Sequence, residues 1–596
     1  MAPKIYKSPY PDVPIPDTSI FTHLFSSPSP DLVGNFLMSD IAYVDTPSGT
    51  ALSRGQVKNF ALQFAFSLLH GPSFEIRRGD TSLIYSPNSL AWPVALFGSA
   101  AAGVKVTLAN SAYNAHELSH QYKDSGAKIV YTAEEGIPVV LEMFKDMGLS
   151  EGEVTNRVIV LTNSLHWTGR GYQRPSPSVR GFVTLGDMLG RGFLVNEERF
   201  DDELANETVY MCYSSGTTGK PKGVETTHRN ITSVLEQTRP AWPSSPSASD
   251  RFLGVLPFYH IFGAVMLIHF PFLFGYPVYI MPRFDPEDFA LNIEKYKITT
   301  ALVVPPILVV LKNHPCVEKF DISSLEIMLS GAAPLGIDLV KAVKTRLESL
   351  RKDSGKKIAI VQGYGLTETS PTTHILPAAD HIRKGGSIGR LLPNLEARLM
   401  LDGKGGDSND AEEGQPGELW VRGPSIMKGY RNNAVATEDS ITRDGWFKTG
   451  DIAIRDAEGY FAIVDRRKEL IKYKGYQVPP AELESILLTH PDIADAAVIG
   501  VESVREATEL PRAYIVQAHP DDLFNAGENK AAFGFSVQKW IKTKVARHKF
   551  LRGGVVVIET IPKSASGKIL RRELRDRAKE ELAGRDPAEA IVGAKL

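Results

Sequence analysis

Cysteine is nearly absent from this 596-residue chain, which contains only Cys212 and Cys316. Two thiols cannot build a framework of several disulfides or a cysteine-based zinc site, so folds that depend on either are excluded. The low count fits a reducing compartment. Cys212 lies in an apolar segment, where a thiol usually acts as a small buried hydrophobe, and we do not expect it to be a nucleophile.

An excess of charge of either sign is also missing. Lys and Arg together number 67 and Asp and Glu number 69, which gives a formal net charge of −2. A basic surface for nucleic acid or an acidic tail would disturb this balance. Neither is expected.

Long apolar runs are scarce. The N-terminus (MAPKIYKSPYPDVPIPD) is rich in proline and lacks the apolar core of a signal peptide. Residues 261–280 contain no Asp, Glu, Lys or Arg and have the length of a membrane span. However, Pro271, Gly275 and Pro277 interrupt this run, and no cluster of Lys or Arg flanks it. We interpret it as buried core, a short helix followed by a strand, and expect no transmembrane segment.

What the chain does contain is a long alternation of apolar segments and helical patterns. A helical pattern begins behind Ser53, a possible cap, and strand-like segments lie at 82–86, 105–109, 128–132, 157–162, 208–213, 251–256, 299–304 and 326–330. Such alternation is typical of parallel sheets covered by helices. The sequence therefore predicts an α/β fold. A large N-terminal domain of stacked, mostly parallel sheets is expected over residues 1–467, and a small mobile α+β domain over 468–596.

The central motif of the sequence is segment 213–224, which reads YSSGTTGKPKGV. Its glycines allow successive backbone N–H groups to face a common centre, and its hydroxyls and lysines add donors and positive charge. These groups suit a polyphosphate. Without further context, the same composition is typical of a surface loop.

Two common nucleotide-binding patterns do not fit the chain. A G-x-x-x-x-G-K-[ST] loop that starts at Gly216 would need its second glycine at Pro221, and Lys220 is followed by proline. A G-x-G-x-x-G pattern that starts at Gly363 would need a glycine at Glu368. The 213–224 segment is therefore a different kind of phosphate loop.

The loop closely resembles the signature of the adenylate-forming superfamily, which includes acyl-CoA synthetases, 4-coumarate–CoA ligases, beetle luciferases and peptide-synthetase adenylation domains. Other segments similar to this family follow in its order: GAAP (331–334), QGYGLTE (362–368), TGD (449–451), VDRRKELIKYKGYQVPPAELE (464–484) and PKSASGKILRREL (562–574). The resemblance covers roughly residues 50–575. It is strongest to the 4-coumarate–CoA ligase and luciferase branch.

The resemblance implies an AMP-forming acid–thiol ligase that uses ATP, Mg²⁺ and coenzyme A. A carboxylate attacks the α-phosphate of ATP to give an acyl-adenylate and pyrophosphate. A thiol then displaces AMP to give a thioester. Because both reactants of the first step are anions, such a site must supply positive charge and positioning.

The resemblance also implies which residues bind the nucleotide. Tyr364 offers a flat face to adenine, Asp451 accepts hydrogen bonds from the ribose hydroxyls, and Thr367 donates to the α-phosphate. Glu368 and Thr217 are the expected Mg²⁺ ligands. The full set expected to contact ATP or AMP is Ser214, Ser215, Gly216, Thr217, Thr218, Gly219, Lys222, Ala332, Gln362, Gly363, Tyr364, Gly365, Thr367, Asp451, Arg466 and Lys568.

The small domain is implied to serve the two half-reactions in turn. Lys568, in a loop of small residues, would place its ammonium between the carboxylate and the α-phosphate. After a rotation about the hinge Lys468, segment 471–477 would face the adenylate and line the path of the thiol. The matching positions are Lys472 as a catalytic residue and Lys474, Gly475 and Gln477 as CoA-binding residues.

The acid is expected beside His260, which in the family seals the carboxylate site until the thiol enters. The residues implied to line the acyl pocket are His260, Ile261, Phe262, Met266, Ala332, Gly363, Gly365, Pro371, Thr372 and Thr373. The 4-coumarate enzymes have aliphatic residues where this chain has Thr372 and Thr373, and His374 follows. The far end is therefore expected to be polar, which argues against a plain hydroxycinnamate. An aryl or arylalkanoic acid and a medium-chain fatty acid both remain open.

Three other functions share these motifs: an adenylating enzyme that passes its acyl group to a carrier protein, a luciferase-like oxygenase, and a non-catalytic nucleotide-binding protein. The joint presence of Glu368, Asp451, Arg466 and Lys568 argues against the last. The terminal Ala594-Lys595-Leu596 is similar to the peroxisomal address S-K-L. We therefore expect recognition by the peroxisomal import receptor, with the cytoplasm as the alternative location.

Overall fold

The structure, a computed structural model, describes residues 4–71, 74–169, 177–214, 221–243, 250–351, 357–401, 409–466, 469–474, 476–506, 508–518, 528–564 and 567–587. Several predicted site residues lie outside these ranges, and the predictions on them stay predictions. They are Ser215, Gly216, Thr217, Thr218, Gly219, Lys468, Gly475 and the terminal Ala594-Lys595-Leu596, together with the side chain of Gln477.

The strands are numbered in chain order. The first half of the large domain contains β1 (Tyr6–Lys7), β2 (Leu32–Val33), β3 (Phe36–Leu37), β4 (Ile41–Asp45), β5 (Ala51–Ser53), β6 (Thr81–Tyr85), β7 (Lys105–Ala109), β8 (Ala127–Ala133), β9 (Val158–Leu161), β10 (Val183–Thr184), β11 (Thr208–Ser214) and β12 (Lys222–Thr227). The second half contains β13 (Phe252–Gly254), β14 (Val278–Ile280), β15 (Thr300–Val303), β16 (Ile327–Ser330), β17 (Ala359–Gly365), β18 (Thr372–Ile375), β19 (Arg390–Leu391), β20 (Glu396–Met400), β21 (Gly417–Arg422), β22 (Gly429–Tyr430), β23 (Phe447–Arg455) and β24 (Phe461–Arg466). The small domain contains β25 (Ile471–Tyr473), β26 (Tyr476–Val478), β27 (Ile493–Ser503), β28 (Thr508–Gln517) and β29 (Val555–Val557).

The helices of the large domain are α1 (Ile20–Phe25), α2 (Arg54–His70), α3 (Ala91–Ala101), α4 (Ala115–Ser125), α5 (Ile137–Asp146), α6 (Glu151–Thr155), α7 (Leu185–Met188), α8 (His228–Thr238), α9 (Ile261–Gly263), α10 (Phe270–Phe274), α11 (Pro286–Tyr296), α12 (Pro305–Asn313), α13 (Cys316–Lys319), α14 (Ile337–Ser349) and α15 (Ala434–Ser440). A π-helical segment (Ala264–His269) joins α9 to α10. The small domain has α16 (Pro480–Leu487), α17 (Glu528–Ile541) and α18 (Arg571–Glu581).

Two large, mostly parallel sheets form the centre of the large domain. The first has the order β10-β9-β8-β6-β7-β11-β12-β22, and the second has the order β19-β18-β17-β16-β15-β13-β14-β4-β5. Pairing is parallel from β10 to β11 and from β17 to β4, and antiparallel at the remaining edges. The predicted α/β fold class is confirmed. The predicted cap is also present, because Ser53 and Gln56 form a capping box at the start of α2.

Two features of the large domain depart from the sequence-based picture. Strand β12, which begins at Lys222, was not predicted, and Thr227 at its end caps α8. A third sheet, with the order β1-β20-β21-β23-β24, is antiparallel throughout. It brings the TGD segment beside Arg466, because β23 and β24 pair Asp451 with Arg466.

The apolar run at 261–280 is buried core, as predicted. It forms α9, the π-helical segment, α10 and β14, and Val265, Leu267, Ile268 and Phe270 have no exposed surface. Among the described residues, no helix combines the length and the apolar character of a membrane span.

The small domain has its own hydrophobic core, built on β27, β28, α16 and α17. Its contacts with the large domain, among the described residues, include three points. The Asp465 carboxylate, on the last strand of the large domain, accepts a hydrogen bond of 3.0 Å from the backbone N–H of Ala481 at the start of α16. Gly567 lies against the side chains of Val304 and Pro306. The third point is Gly336, which faces Ser485 of α16.

A side chain at position 336 should disfavour this arrangement of the domains, because a Cβ there would lie 2.1 Å from Ser485 Oγ. We expect Gly336→Val to slow acyl-adenylate formation roughly tenfold, the equivalent of about 1.4 kcal/mol. Transfer from preformed acyl-adenylate to the thiol should change much less, because it is expected to use a rotated arrangement. The measurement is the rate of each half-reaction.

The double variant Gly336→Val/Ser485→Gly is the control, since it removes the obstructing hydroxyl. It should recover part of the adenylation rate. Equal loss of both half-reactions without recovery would show that the contact does not act through domain arrangement.

Candidate active site

One cavity of about 1250 Å³ is lined by both domains. On the large domain it lies at the carboxyl ends of β7, β11, β16 and β17, the edge where ligands of open α/β sheets usually bind. The small domain contributes Leu470, Lys472, Glu509, Ser564 and Lys568. The strand ends of two sheets and a loop of another domain therefore meet at one site.

Most of the predicted residues that the structure describes line this cavity: Ser214, Lys222, His260, Ile261, Phe262, Met266, Ala332, Gly363, Tyr364, Gly365, Thr367, Glu368, Pro371, Thr372, Arg466, Lys472 and Lys568. Gln362, Thr373, Asp451 and Lys474 are not part of the lining. The Gln362 side chain is buried within the sheet, and its backbone carbonyl accepts from Leu376 N–H.

The side of the cavity where the nucleotide is expected is organised around Tyr364. Its hydroxyl donates a 2.6 Å hydrogen bond to Asp451 Oδ2, and Arg466 Nε lies 3.3 Å from Asp451 Oδ1. Asp451 is 4% exposed, and burial raises its pKa while Arg466 opposes the rise. The carboxylate therefore holds the tyrosine ring in place. Its contact with a ribose stays a prediction, since each oxygen already has a protein partner.

At position 365 the packing of the chain itself requires glycine, whether or not a ligand approaches. A Cβ at this position would lie 1.8 Å from the backbone oxygen of Pro371. The chain itself therefore excludes any side chain at this position. At Gly363 the corresponding distance, to Leu329 Cδ2, is 3.3 Å.

Glu368 is the carboxylate of the site best suited to a magnesium ion. It is 8% exposed, and Tyr430 Oη donates a 2.9 Å hydrogen bond to its Oε1. Among the described residues, Oε1 is the side-chain oxygen of Glu368 that accepts this hydrogen bond, and Oε2 is the one that a cation would use. Magnesium keeps most of its waters and commonly takes one or two protein carboxylates beside phosphate oxygens, so a single Glu fits. Among the described residues there is no cluster of three or more acidic, His or Cys side chains that would form an all-protein metal site.

Lys568 brings positive charge from the small domain into the cavity. Gly567 before it has a left-handed backbone (φ +79°), and Ser564 Oγ accepts a 3.2 Å hydrogen bond from the Lys568 N–H, which fixes the loop. Burial and Arg466 lower the pKa of Lys568 to about 8, although Glu469, Asp451 and Glu368 act in the opposite direction. These groups are close enough to Lys568 to influence its charge.

His260 lines the same cavity as Lys568. Its Nδ1 accepts a 3.2 Å hydrogen bond from Phe262 N–H at the start of α9, which sets the orientation of the ring. Burial and the charge of Lys568 lower the pKa of His260 to about 4, so the imidazole is neutral at pH 7.

The acyl side of the cavity is mainly apolar. Phe262 packs on Gly331, where a Cβ would lie 3.1 Å from the ring. Met266 belongs to the π-helical segment, a distortion that is frequent at functional sites. His269 stabilises this segment from the core, because its two ring nitrogens contact Ala264 O and Tyr210 Oη, each at 2.8 Å.

The predicted polar far end of the pocket is wrong at two of its three residues. Thr373 and His374 have no exposed surface and are absent from the cavity lining. They contact each other at 2.9 Å, and His374 packs edge-on against Tyr364 and Phe461. A register shift between β17 and β18 changes the alternation of side chains at this point. Only Thr372 faces the cavity.

The predicted thiol-binding hairpin is formed by β25 and β26. Lys472 lines the cavity, and its backbone N–H donates to Glu509 Oε2 at 2.7 Å. Lys474 instead forms a 2.9 Å ion pair with Glu506. Lys568 lines the cavity, whereas Lys474 does not.

Several lining residues were missed by the sequence reasoning: Asn110, Tyr113, Tyr259, Leu329, Ile375, Tyr430 and Glu509. Tyr259 and Leu329 adjoin recognised motifs, so closer attention to the flanking residues would have found them. Tyr113 and Asn110 follow β7, and their place at a strand end was the available signal. Tyr430 and Glu509 reach the cavity through strand pairing and contacts between segments that are distant in sequence, which no local pattern indicates.

Comparison with known proteins agrees with this geometry. Residues 36–431 match the AMP-binding enzyme family, and residues 482–568 match the AMP-binding enzyme C-terminal domain. Probable 4-coumarate–CoA ligase 3 of Dictyostelium discoideum is 35% identical over 84% of this chain and 86% of its own length. Peroxisomal OPC-8:0-CoA ligase 1 of Arabidopsis thaliana is 33% identical over 92% of this chain and 93% of its own.

A solved structure is similar over most of the chain. O-Succinylbenzoate coenzyme A synthetase from Bacillus subtilis, in complex with ATP and magnesium ion, aligns with a TM-score of 0.70 and 26% identity, and the alignment covers 90% of this chain and 97% of that one. Together with the two family matches, this confirms the resemblance drawn from the motifs. The chain belongs to the AMP-binding family of adenylate-forming enzymes.

Proposed function

We propose that this protein is an ATP-dependent carboxylic acid–CoA ligase. The observation that carries the proposal is the meeting of Lys568 from the small domain with Thr367, Glu368 and His260 of the large domain in one cavity. A cation that arrives from a second domain suits a reaction between two anions, because it lowers their repulsion only when the domains have closed. The relatives' names, as CoA ligases, support the same class.

In the first half-reaction, a carboxylate oxygen of the acid bonds to the α-phosphorus of ATP, and the bond to the bridging oxygen breaks to release pyrophosphate. We assign Lys568 to the developing charge between the two anions, and Thr367 to the α-phosphate. Lys222 and the glycine loop would contact the departing phosphates. Bound at Glu368, magnesium would neutralise phosphate charge.

In the second half-reaction, the sulfur of coenzyme A bonds to the acyl carbon, and the carbon–oxygen bond to the phosphate breaks to release AMP. We assign Lys472, Lys474, Gly475 and Gln477 to this step, after rotation about residue 468. The low pKa of His260 makes it a weak base. We therefore propose that it seals the carboxylate site and moves aside for the thiol, and that the thiol proton is lost to water as AMP leaves.

For the acid, the apolar lining favours an aryl, arylalkanoic or medium-chain aliphatic tail. Ile261, Phe262 and Met266 line the cavity together with Leu329 and Ile375. With residues 373 and 374 turned away, only the hydroxyl at position 372 still disfavours a hydroxycinnamate. A panel of such acids, assayed for acid-dependent ATP–pyrophosphate exchange and for CoA-thioester formation, tests the proposal. ADP as product, or ATP turnover that does not depend on any acid, would exclude it.

Replacement of the two cavity lysines should separate the half-reactions. We expect Lys568→Ala to reduce pyrophosphate exchange at least 100-fold, since two close charges lose an attraction of about 4 kcal/mol at an effective dielectric constant near 20. Transfer from supplied acyl-adenylate to CoA should stay within a few-fold of wild type. Lys472→Ala should show the opposite pattern. Equal damage to both steps in either variant would contradict the assignment.

The rate of adenylate formation should also fall at alkaline pH. Lys568 carries its charge below a pKa of about 8 and loses it as the pH rises through that value. We therefore expect kcat/KM for adenylate formation to fall about tenfold per pH unit above this point.

Lys568→Arg is the matched variant, because a guanidinium stays charged throughout this range. Whatever the absolute rate of this variant, the pH above which its kcat/KM falls should lie at least about one pH unit higher than in the wild type. An alkaline limb at the same pH in both proteins would assign the titration to another group.

A further inference from the structure

Tyr430 stands between two charged groups of the cavity. It ends β22, which pairs with β12 through Val224 and Tyr430, and so it lies beside the strand that begins at Lys222. Its hydroxyl donates to Glu368 Oε1 at 2.9 Å, and Lys222 Nζ lies 4.6 Å from the centre of its ring. One side chain thus contacts the carboxylate suited to magnesium and the lysine expected to contact phosphate.

We propose that Tyr430 is a positioning residue for magnesium-bound ATP, which holds Glu368 with one oxygen free for the cation and keeps Lys222 apart from that carboxylate. The inference rests on the proposed function and deepens it, since it concerns how this chain prepares its own site for the metal and the phosphates. Tyr430 belongs to none of the motifs that identified the site.

The physical reason is competition between opposite charges. A lysine and a glutamate in one partly dry cavity attract each other strongly, and a direct ion pair would occupy both groups that a metal–phosphate ligand needs. The face of the tyrosine ring instead attracts the ammonium, and the hydroxyl at its edge satisfies one carboxylate oxygen. Among the described residues, Tyr430 contacts both groups: Lys222 lies over its ring, and Glu368 accepts from its hydroxyl.

Burial and the adjacent Glu368 raise the pKa of the Tyr430 phenol. The hydroxyl of Ser440, at the end of α15, opposes this rise in pKa.

Tyr430→Phe tests the proposal, because it keeps the ring for Lys222 and removes the donor to Glu368. We expect the Mg²⁺ concentration for half-maximal ATP binding, measured by calorimetric titration, to rise roughly tenfold, the usual effect of losing a hydrogen bond to a charged group. ATP binding without metal should be unchanged. In pyrophosphate exchange the Mg²⁺ dependence should shift by the same factor, while transfer from supplied acyl-adenylate to CoA stays at the wild-type rate.

A second variant, Tyr430→Leu, also removes the ring. It should weaken metal-free ATP binding as well, because Lys222 can then pair with Glu368. A purely structural role would instead lower thermal stability and both half-reactions together, without moving the Mg²⁺ dependence.

Tyr460→Phe is the matched control. Tyr460 also donates its hydroxyl to a carboxylate, that of Asp380, and also carries a lysine ammonium, Lys384 Nζ, 4.8 Å from its ring centre, but it does not line the cavity. This variant should leave the Mg²⁺ dependence of ATP binding unchanged. A wild-type Mg²⁺ dependence in folded Tyr430→Phe, or an equal shift in Tyr460→Phe, would overturn the proposal.

The binding titration needs no acid or thiol, so failure of the proposed ligase reaction would be seen separately. In that case the wild-type protein would bind ATP with Mg²⁺ but give no acid-dependent pyrophosphate exchange.

Discussion

Repulsion between a carboxylate and a polyphosphate is the constraint to which the proposed site responds. Two unit charges of like sign 4 Å apart repel by about 4 kcal/mol at an effective dielectric constant near 20, a cost of nearly a thousandfold in rate. Three cationic side chains line the cavity, those of Lys568, Arg466 and Lys222, and in the proposed reaction they offset this repulsion. Burial and the neighbouring positive charge lower the pKa of both Lys568 and His260. A site of this kind is electrostatically unsatisfied by itself, and anionic ligands relieve it.

The fold meets this demand by bringing three sheets and a second domain to one point. The parallel sheets supply strand ends, where backbone turns present Ser214, Ala332 and Tyr364 without blocking the cavity. The antiparallel third sheet supplies Asp451 and Arg466 as a cross-strand pair. The small domain supplies the cation on a loop that lies against Val304 and Pro306. The small domain has a core of its own, which the proposed rotation between the two steps would leave intact.

Much of this could be predicted from the sequence, and the failures have identifiable causes. Apolar segments such as 105–109 and 326–330 became strands because a buried parallel strand is apolar on both faces. Strand β12 was missed because its sequence, KGVETT, is largely polar. The strand lies next to the edge strand β22 of its sheet. Thr373 was placed in the acyl pocket by position in a motif, whereas the local register shift turns it into the core. Tyr430 could not be found at all, since only the pairing of β22 with β12 brings it to Glu368.

The proposed reaction depends most directly on the formation of a mixed anhydride between the acid and AMP. An acid that supports turnover, labelled with ¹⁸O in both carboxylate oxygens, should transfer one labelled oxygen to AMP for every thioester formed, which mass spectrometry detects as a gain of about 2 Da in AMP. Unlabelled AMP, or label that appears in inorganic phosphate, would show that the carboxylate never attacks the α-phosphorus and would contradict the proposed reaction.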